Sequence, residues 1–178
     1  MKLLRHLVLS LLILVGIGSS NTVQADHVLG GSISWDCISS GPDAGKFRFF
    51  LTIYRNCASN QTITPFIKSE TYAPLGNISM TLLSSTDVSP TQCGVSCATA
   101  QPGDAGLIEE LIYQSAPVTI DEMPPATGHV FSYYACCRGN VDNIVNPLSY
   151  LMYFRAVMYP YEGQNMNPCY DSSPRFVA

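Results

Sequence analysis

The sequence predicts an all-β protein, an antiparallel β-sandwich closed by disulfides. Three observations carry this expectation. Short segments rich in aromatic and β-branched residues recur along the chain, some with clear period-two alternation. Clusters of Gly, Pro, Asn, Asp and Ser separate them, and no window of comparable length has the apolar spacing of a helix. At 178 residues the chain has room for one ordinary domain with its own core.

The elements follow in order. Gly30–Cys37 and Lys46–Cys57 flank Ser39-Ser40-Gly41-Pro42-Asp43-Ala44-Gly45, a dense set of turn formers, and so read as a β-hairpin. In the second strand Phe47, Phe49, Leu51 and Ile53 alternate with Arg48, Phe50, Thr52 and Tyr54, which assigns the first set to the core and the second to a mixed outer face. Further strands are expected at Ile78–Ser84, Leu107–Tyr113, Val118–Ile120, His129–Cys136 and Leu148–Tyr159, with one alternating set of residues 148–158 in the core. Short strands without intervening helices point to an antiparallel sandwich or barrel and away from a parallel α/β sheet, and of the two the immunoglobulin-like sandwich is the expectation. The loop Ser85–Gly106 holds Pro90, Pro102 and two cysteines and needs a tie; Cys93–Cys97 is the local candidate, and bridges to elsewhere are the alternative. No internal repeat, heptad or low-complexity tract is present.

The first residues set the compartment. Lys2 and Arg5 precede the uncharged run Leu7–Gly18, and Val23-Gln24-Ala25 places small or short residues at the −3 and −1 positions, the pattern of a secretory signal peptide. A run of that length spans about 18 Å as a helix, against roughly 30 Å of hydrocarbon, so a membrane anchor fits less well. Residues 1–25 are therefore expected to be a cleaved Sec-type leader, 26–170 the sandwich module, and 171–178 the start of an interdomain linker. No later stretch is long or apolar enough for a transmembrane span in the mature chain, and the expected location is secreted or at the cell surface. All seven cysteines (Cys37, Cys57, Cys93, Cys97, Cys136, Cys137 and Cys169) lie beyond the cleavage point and are disulfide candidates; their odd number leaves one thiol or an outside partner, and their connectivity stays open.

Composition excludes some functions and the residues offer little catalytic chemistry. Charged residues are only 12% of the chain against 47% hydrophobic, with a formal net charge of −4, which argues against disorder and against nucleic-acid binding. Glu109-Glu110 and Asp121-Glu122 are adjacent pairs that point to opposite strand faces, so they suit a solvated surface and not an acid/base couple across one bond. Cys93-x-x-x-Cys97 and Cys136-Cys137 lack finger or ribbon spacing, with His27 and His129 the only imidazoles of the mature chain. Neither histidine has a local thiol and orienting group for nucleophilic catalysis, and His129 suits a packed strand start. Asp142, Asn143, Asn146 and Asp171 could offer oxygen ligands, so calcium rests on composition alone and no cofactor is expected. Asn60-Gln61-Thr62 and Asn77-Ile78-Ser79 match the glycosylation sequon. Tyr150, Tyr153, Tyr159 and Tyr161 near the last strand could line a sugar or protein contact, or fill a half-buried sheet.

Asp26-His27-Val28-Leu29-Gly30-Gly31-Ser32-Ile33-Ser34-Trp35 and Phe49-Phe50-Leu51-Thr52-Ile53-Tyr54-Arg55-Asn56-Cys57 resemble the start of the large cell-surface proteins of Bacteroidetes, the gliding-motility and adhesin-like group. Phe131-Ser132-Tyr133-Tyr134-Ala135-Cys136-Cys137-Arg138-Gly139-Asn140 is similar to that module's paired-cysteine strand, and Asn167–Phe176 to its exit into the next domain. The four blocks span essentially the whole mature chain in one order. The resemblance implies a non-catalytic N-terminal module of a type IX-secreted adhesion or gliding protein, partnered by following β-sandwich repeats of the same polypeptide and by surface glycans or proteins. It also implies that the natural polypeptide continues beyond Ala178. A carbohydrate-binding sandwich using exposed tyrosines is the alternative.

Overall fold

The computed structural model describes residues 28–59, 62–101, 104, 106–135, 145, 150–161, 169 and 172–173. Among them run seven strands: β1 (Val28–Cys37), β2 (Phe47–Asn56), β3 (Phe66–Ser69), β4 (Asn77–Asp87), β5 (Ile108–Ser115), β6 (His129–Ala135) and β7 (Met152–Met158). All pairings are antiparallel and the strand order is β1-β2-β5-β4-β3-β6-β7. The protein is thus all-β. Its only helical pieces among the described residues are the 3₁₀ turns Thr91–Cys93 and Cys97–Thr99.

The sheet folds over through β4. Asn77–Ser79 pair with β3, whereas Met80–Asp87 pair with β5, so one strand belongs to two layers and forms the corner between them. A register shift between Leu82 and Ser84 adds local twist there. At the other side β1 and β7 come close: the Phe154 ring lies against Gly31, and this approach brings the two ends of the sheet near to each other in a barrel-like closure.

The period of two in β2 does what it predicts. Phe47, Phe49, Leu51 and Ile53 are all fully buried, and their partners across the ladders, Trp35 and Ile33 on β1 and Leu111 and Tyr113 on β5, share their face. Phe131 on β6 closes the core from the facing layer, with ring centroids 4.6 Å from Phe49 and 6.2 Å from Trp35. Met152 and Met158 line the same interior from β7. The turn between β1 and β2 also forms as expected, with Ile38 donating to the Lys46 carbonyl and Gly45 to that of Ile38, each at 2.9 Å; Gly45 sits at φ 90°, where a Cβ would be strained.

Three expectations need correction. Val118–Ile120 is not a strand: Val118 makes one bridge to Phe47, two hydrogen bonds of 2.8 Å, and Pro117 before it has no N–H with which to lengthen the ladder. A strand was not expected at β3, four residues long and too short to show a period. Cys97 does not pair with Cys93; it pairs with Cys57 at the end of β2, their Cα atoms 5.6 Å apart, within disulfide reach. The left-handed Gly94 at φ 64° turns the chain away after Cys93, and the Asp87 carboxylate then holds the Cys97 N–H at 2.7 Å. Beyond Cys169, the described residues 172 and 173 lie against β1. Ser172 accepts from the Cys37 N–H at 2.9 Å, and Ser173 both accepts from the Trp35 N–H at 2.8 Å and donates to the Trp35 carbonyl at 2.9 Å. The chain is therefore tied to β1 beyond Cys169, which itself bonds Cys37 with Cα atoms 5.7 Å apart.

Candidate contact face

The outer side of β3, β6 and β7 is built in rows. Register places Lys68 beside Ser132 and Ser132 beside Arg155. Two residues along each antiparallel strand, the next row is Phe66, Tyr134 and Tyr153; Tyr134 and Tyr153 are direct cross-strand partners, and the Phe66 and Tyr134 rings meet edge-on at 5.7 Å and 85°. Tyr134 and Tyr153 are 49% and 54% exposed. With strands about 4.8 Å apart, the three aromatic residues cover about 10 Å across the sheet.

The polar row is organised electrostatically. Glu70 accepts from Lys68 at 2.8 Å and from the hydroxyl of fully buried Ser132 at 2.6 Å. Lys68 first, then Ser132, holds the Glu70 carboxyl below its ordinary range, and Glu70 in turn holds the Lys68 ammonium above its own, with smaller contributions from the Tyr134 and Tyr153 hydroxyls. Arg155 is exposed and has no ion pair among the described residues.

Elsewhere the charged groups serve structure. Glu109 accepts from the Arg55 guanidinium at 2.8 Å and from Ser85 at 2.5 Å, at the rim of the core; it is half-buried and not the solvated residue the sequence suggested. Its neighbour Glu110 faces the other way and accepts from the Tyr54 hydroxyl at 2.7 Å, which raises the proton affinity of that phenol. The two carboxylates of the Glu109-Glu110 pair thus engage different partners on opposite faces. Asp87 is held below its ordinary range by the Ser89 side chain and by the backbone N–H groups of Ser89 and Cys97, and so pins the long loop. His129 is buried against the Tyr72 ring at 4.9 Å, neither ring nitrogen has a hydrogen-bond partner among the described residues, and burial pushes its proton affinity down.

Of the cysteines, Cys37, Cys57, Cys97 and Cys169 form two disulfides among the described residues. Cys93 ends a 3₁₀ turn, while Cys136 and Cys137, residues 1–25, His27, Asn60 and the oxygen-bearing Asp142, Asn143, Asn146 and Asp171 lie outside the described residues. Among the described residues no group of three or more His, Cys, Asp or Glu side chains could hold a metal ion. No helix among them is long and apolar enough to cross a membrane. Asn77 of the second sequon is exposed at the start of β4. Sequence reading singled out Tyr153 but neither Phe66, Tyr134, Lys68 nor Arg155, because only strand pairing brings these four beside it. No protein-family model, curated protein or solved structure matches this chain.

Proposed function

We propose that this chain is a non-catalytic exported module that acts at the cell surface, in adhesion, gliding or assembly of a larger exported protein, and that it makes contact through the outer face of β3, β6 and β7. The observation that supports this most is the exposed aromatic row on that face. Large rings left half in solvent on the outer face of a sheet suit recognition, whereas a ring needed only for stability is better placed inside. The disulfides suit an oxidising compartment, in keeping with residues 1–25 as a leader removed on export. The strand order also suits an immunoglobulin-like module: β1-β2-β5-β4 in one layer and β3-β6-β7 in the other is the order of the constant-type sandwich.

The same row favours a second reading, a carbohydrate-binding module, because pyranose C–H faces stack on exposed phenol rings and phenol hydroxyls reach sugar hydroxyls. Two experiments test the proposal. Fractionation of cells expressing the full chain, with and without residues 1–25, should recover the intact form outside the cytoplasm and the deleted form inside; equal distribution overturns export. Beads coated with the protein should adhere to a cell surface or glycan layer in a way that the double change Tyr134→Ala/Tyr153→Ala abolishes, and retention of adhesion by that variant overturns the assigned face.

A further inference from the structure

Resting on the carbohydrate-binding reading, we infer that the β3-β6-β7 face recognises an acidic glycan, with Tyr134 and Tyr153 stacking on the sugar ring and Arg155 binding its carboxylate or sulfate. The inference starts from the neighbouring rows. Phe66, Tyr134 and Tyr153 form an aromatic row, and Lys68, Ser132 and Arg155 form the row beside it, two residues away along each strand and therefore roughly 7 Å distant. A pyranose lying on the rings would present an equatorial substituent towards that second row.

The row contains two cations with different roles. Lys68 is occupied by Glu70, which also holds Ser132. Arg155 is exposed without an ion pair among the described residues. A guanidinium stays charged at any physiological pH and offers a planar fork that matches a carboxylate or sulfate with two parallel hydrogen bonds. A neutral sugar would use the rings and leave this fork idle; an acidic sugar uses both.

Scale argues against a protein partner for the same patch. Three strands wide and two rows deep, it offers far less than the roughly 800 Å² per partner of a stable protein interface. A repeating polymer needs only a short contact per unit. The chain carries a formal net charge of −4, so the field of the whole molecule does not draw in polyanions and the selectivity has to come from the local guanidinium.

Titration calorimetry with matched pairs tests this: tetragalacturonate against its full methyl ester, sialyllactose against lactose, and a sulfated against an unsulfated galactan tetramer, each with the disulfide-bonded full chain. At least one acidic member should bind about tenfold or more tighter than its neutral counterpart, and Arg155→Gln should erase that preference while leaving neutral binding in place. Tyr134→Ala and Tyr153→Ala should each weaken both members by about tenfold, Tyr134→Phe should retain most binding, and Tyr54→Phe, on β2 in the other layer, should change nothing. Neutral members binding as well as acidic ones, or an Arg155→Gln variant that keeps the preference, overturns the acidic-glycan inference and leaves the carbohydrate reading standing. No binding by any member overturns both, as does a change of oligomeric state in Tyr153→Ala, which would make the face a protein contact.

Discussion

At Gly31 the side chain is absent and the Phe154 ring of β7 takes its place: a Cβ there would stand 2.8 Å from the ring and would also press on the Thr52 carbonyl of β2. One contact is with the far end of a side chain and the other with backbone, so relaxation is only partial. Gly31→Ala should destabilise the protein by about 1–3 kcal/mol in denaturant unfolding, and Phe154→Leu in the same chain should recover part of that loss. A second residue-scale prediction concerns pH. His129 is buried with unpartnered nitrogens, and burial lowers its proton affinity from the ordinary 6.5, against a smaller opposing pull from Glu122. The unfolded chain therefore takes up this proton first. The stability that depends on neutral His129 is fully present above pH 6.5 and declines as pH falls below it. Unfolding free energy should decrease from pH 7 towards pH 5, and His129→Leu should flatten that decline. Glu70 and Asp87, both held below their ordinary values of 4.5 and 3.8, lose their contributions only at still lower pH, so the two limbs are separable.

At the scale of elements, β2 was legible because every second residue from Phe47 to Ile53 is a large apolar one, and a strand buried on one face needs nothing more to declare itself. β3 was not, since Phe66-Ile67-Lys68-Ser69 gives the pattern only two turns of its period and Ser69 is buried despite its polarity. Val118–Ile120 has strand-forming residues but no ladder on which to extend them. The long loop shows the same limit for cysteines: spacing favours the near pair, whereas the fold brings Cys97 to Cys57, 40 positions away in sequence. Peptide mapping without reductant should recover the Cys57–Cys97 and Cys37–Cys169 linked peptides. Cys57→Ser should cost roughly 2–4 kcal/mol and raise hydrogen exchange at the amides of residues 88–101, and a Cys93–Cys97 peptide in its place would refute this account of the loop.

At the scale of the whole molecule, the period of a strand says which residues face inward but not which strand lies beside it. That β5 sits between β2 and β4 depends on contacts such as Ile53 with Leu111, far apart in sequence, and so the aromatic and cationic rows of the contact face had no signature in the chain. The same holds for its closing segment. Ser172-Ser173-Pro174 reads as an extended exit; what the sequence does not show is that Ser172 and Ser173 lie against β1 and satisfy the main chain of Trp35 and Cys37. Trp35 is buried, so its N–H and carbonyl lose their partners if that segment is removed. Deleting Ser172–Ala178 should therefore cost about 2–4 kcal/mol, from the hydrogen bonds of Ser172 and Ser173 to β1 at about 1 kcal/mol each. Cys169→Ser acts differently. It opens a ring of sequence separation 132 and acts chiefly through the unfolded chain, by about 5 kcal/mol in the chain-entropy view. Because the disulfide positions the serines on β1, the two losses share a cause, and the deletion made in a Cys169→Ser background should cost less than it does alone. Full additivity in that double-mutant cycle would show that the serines find β1 without the disulfide.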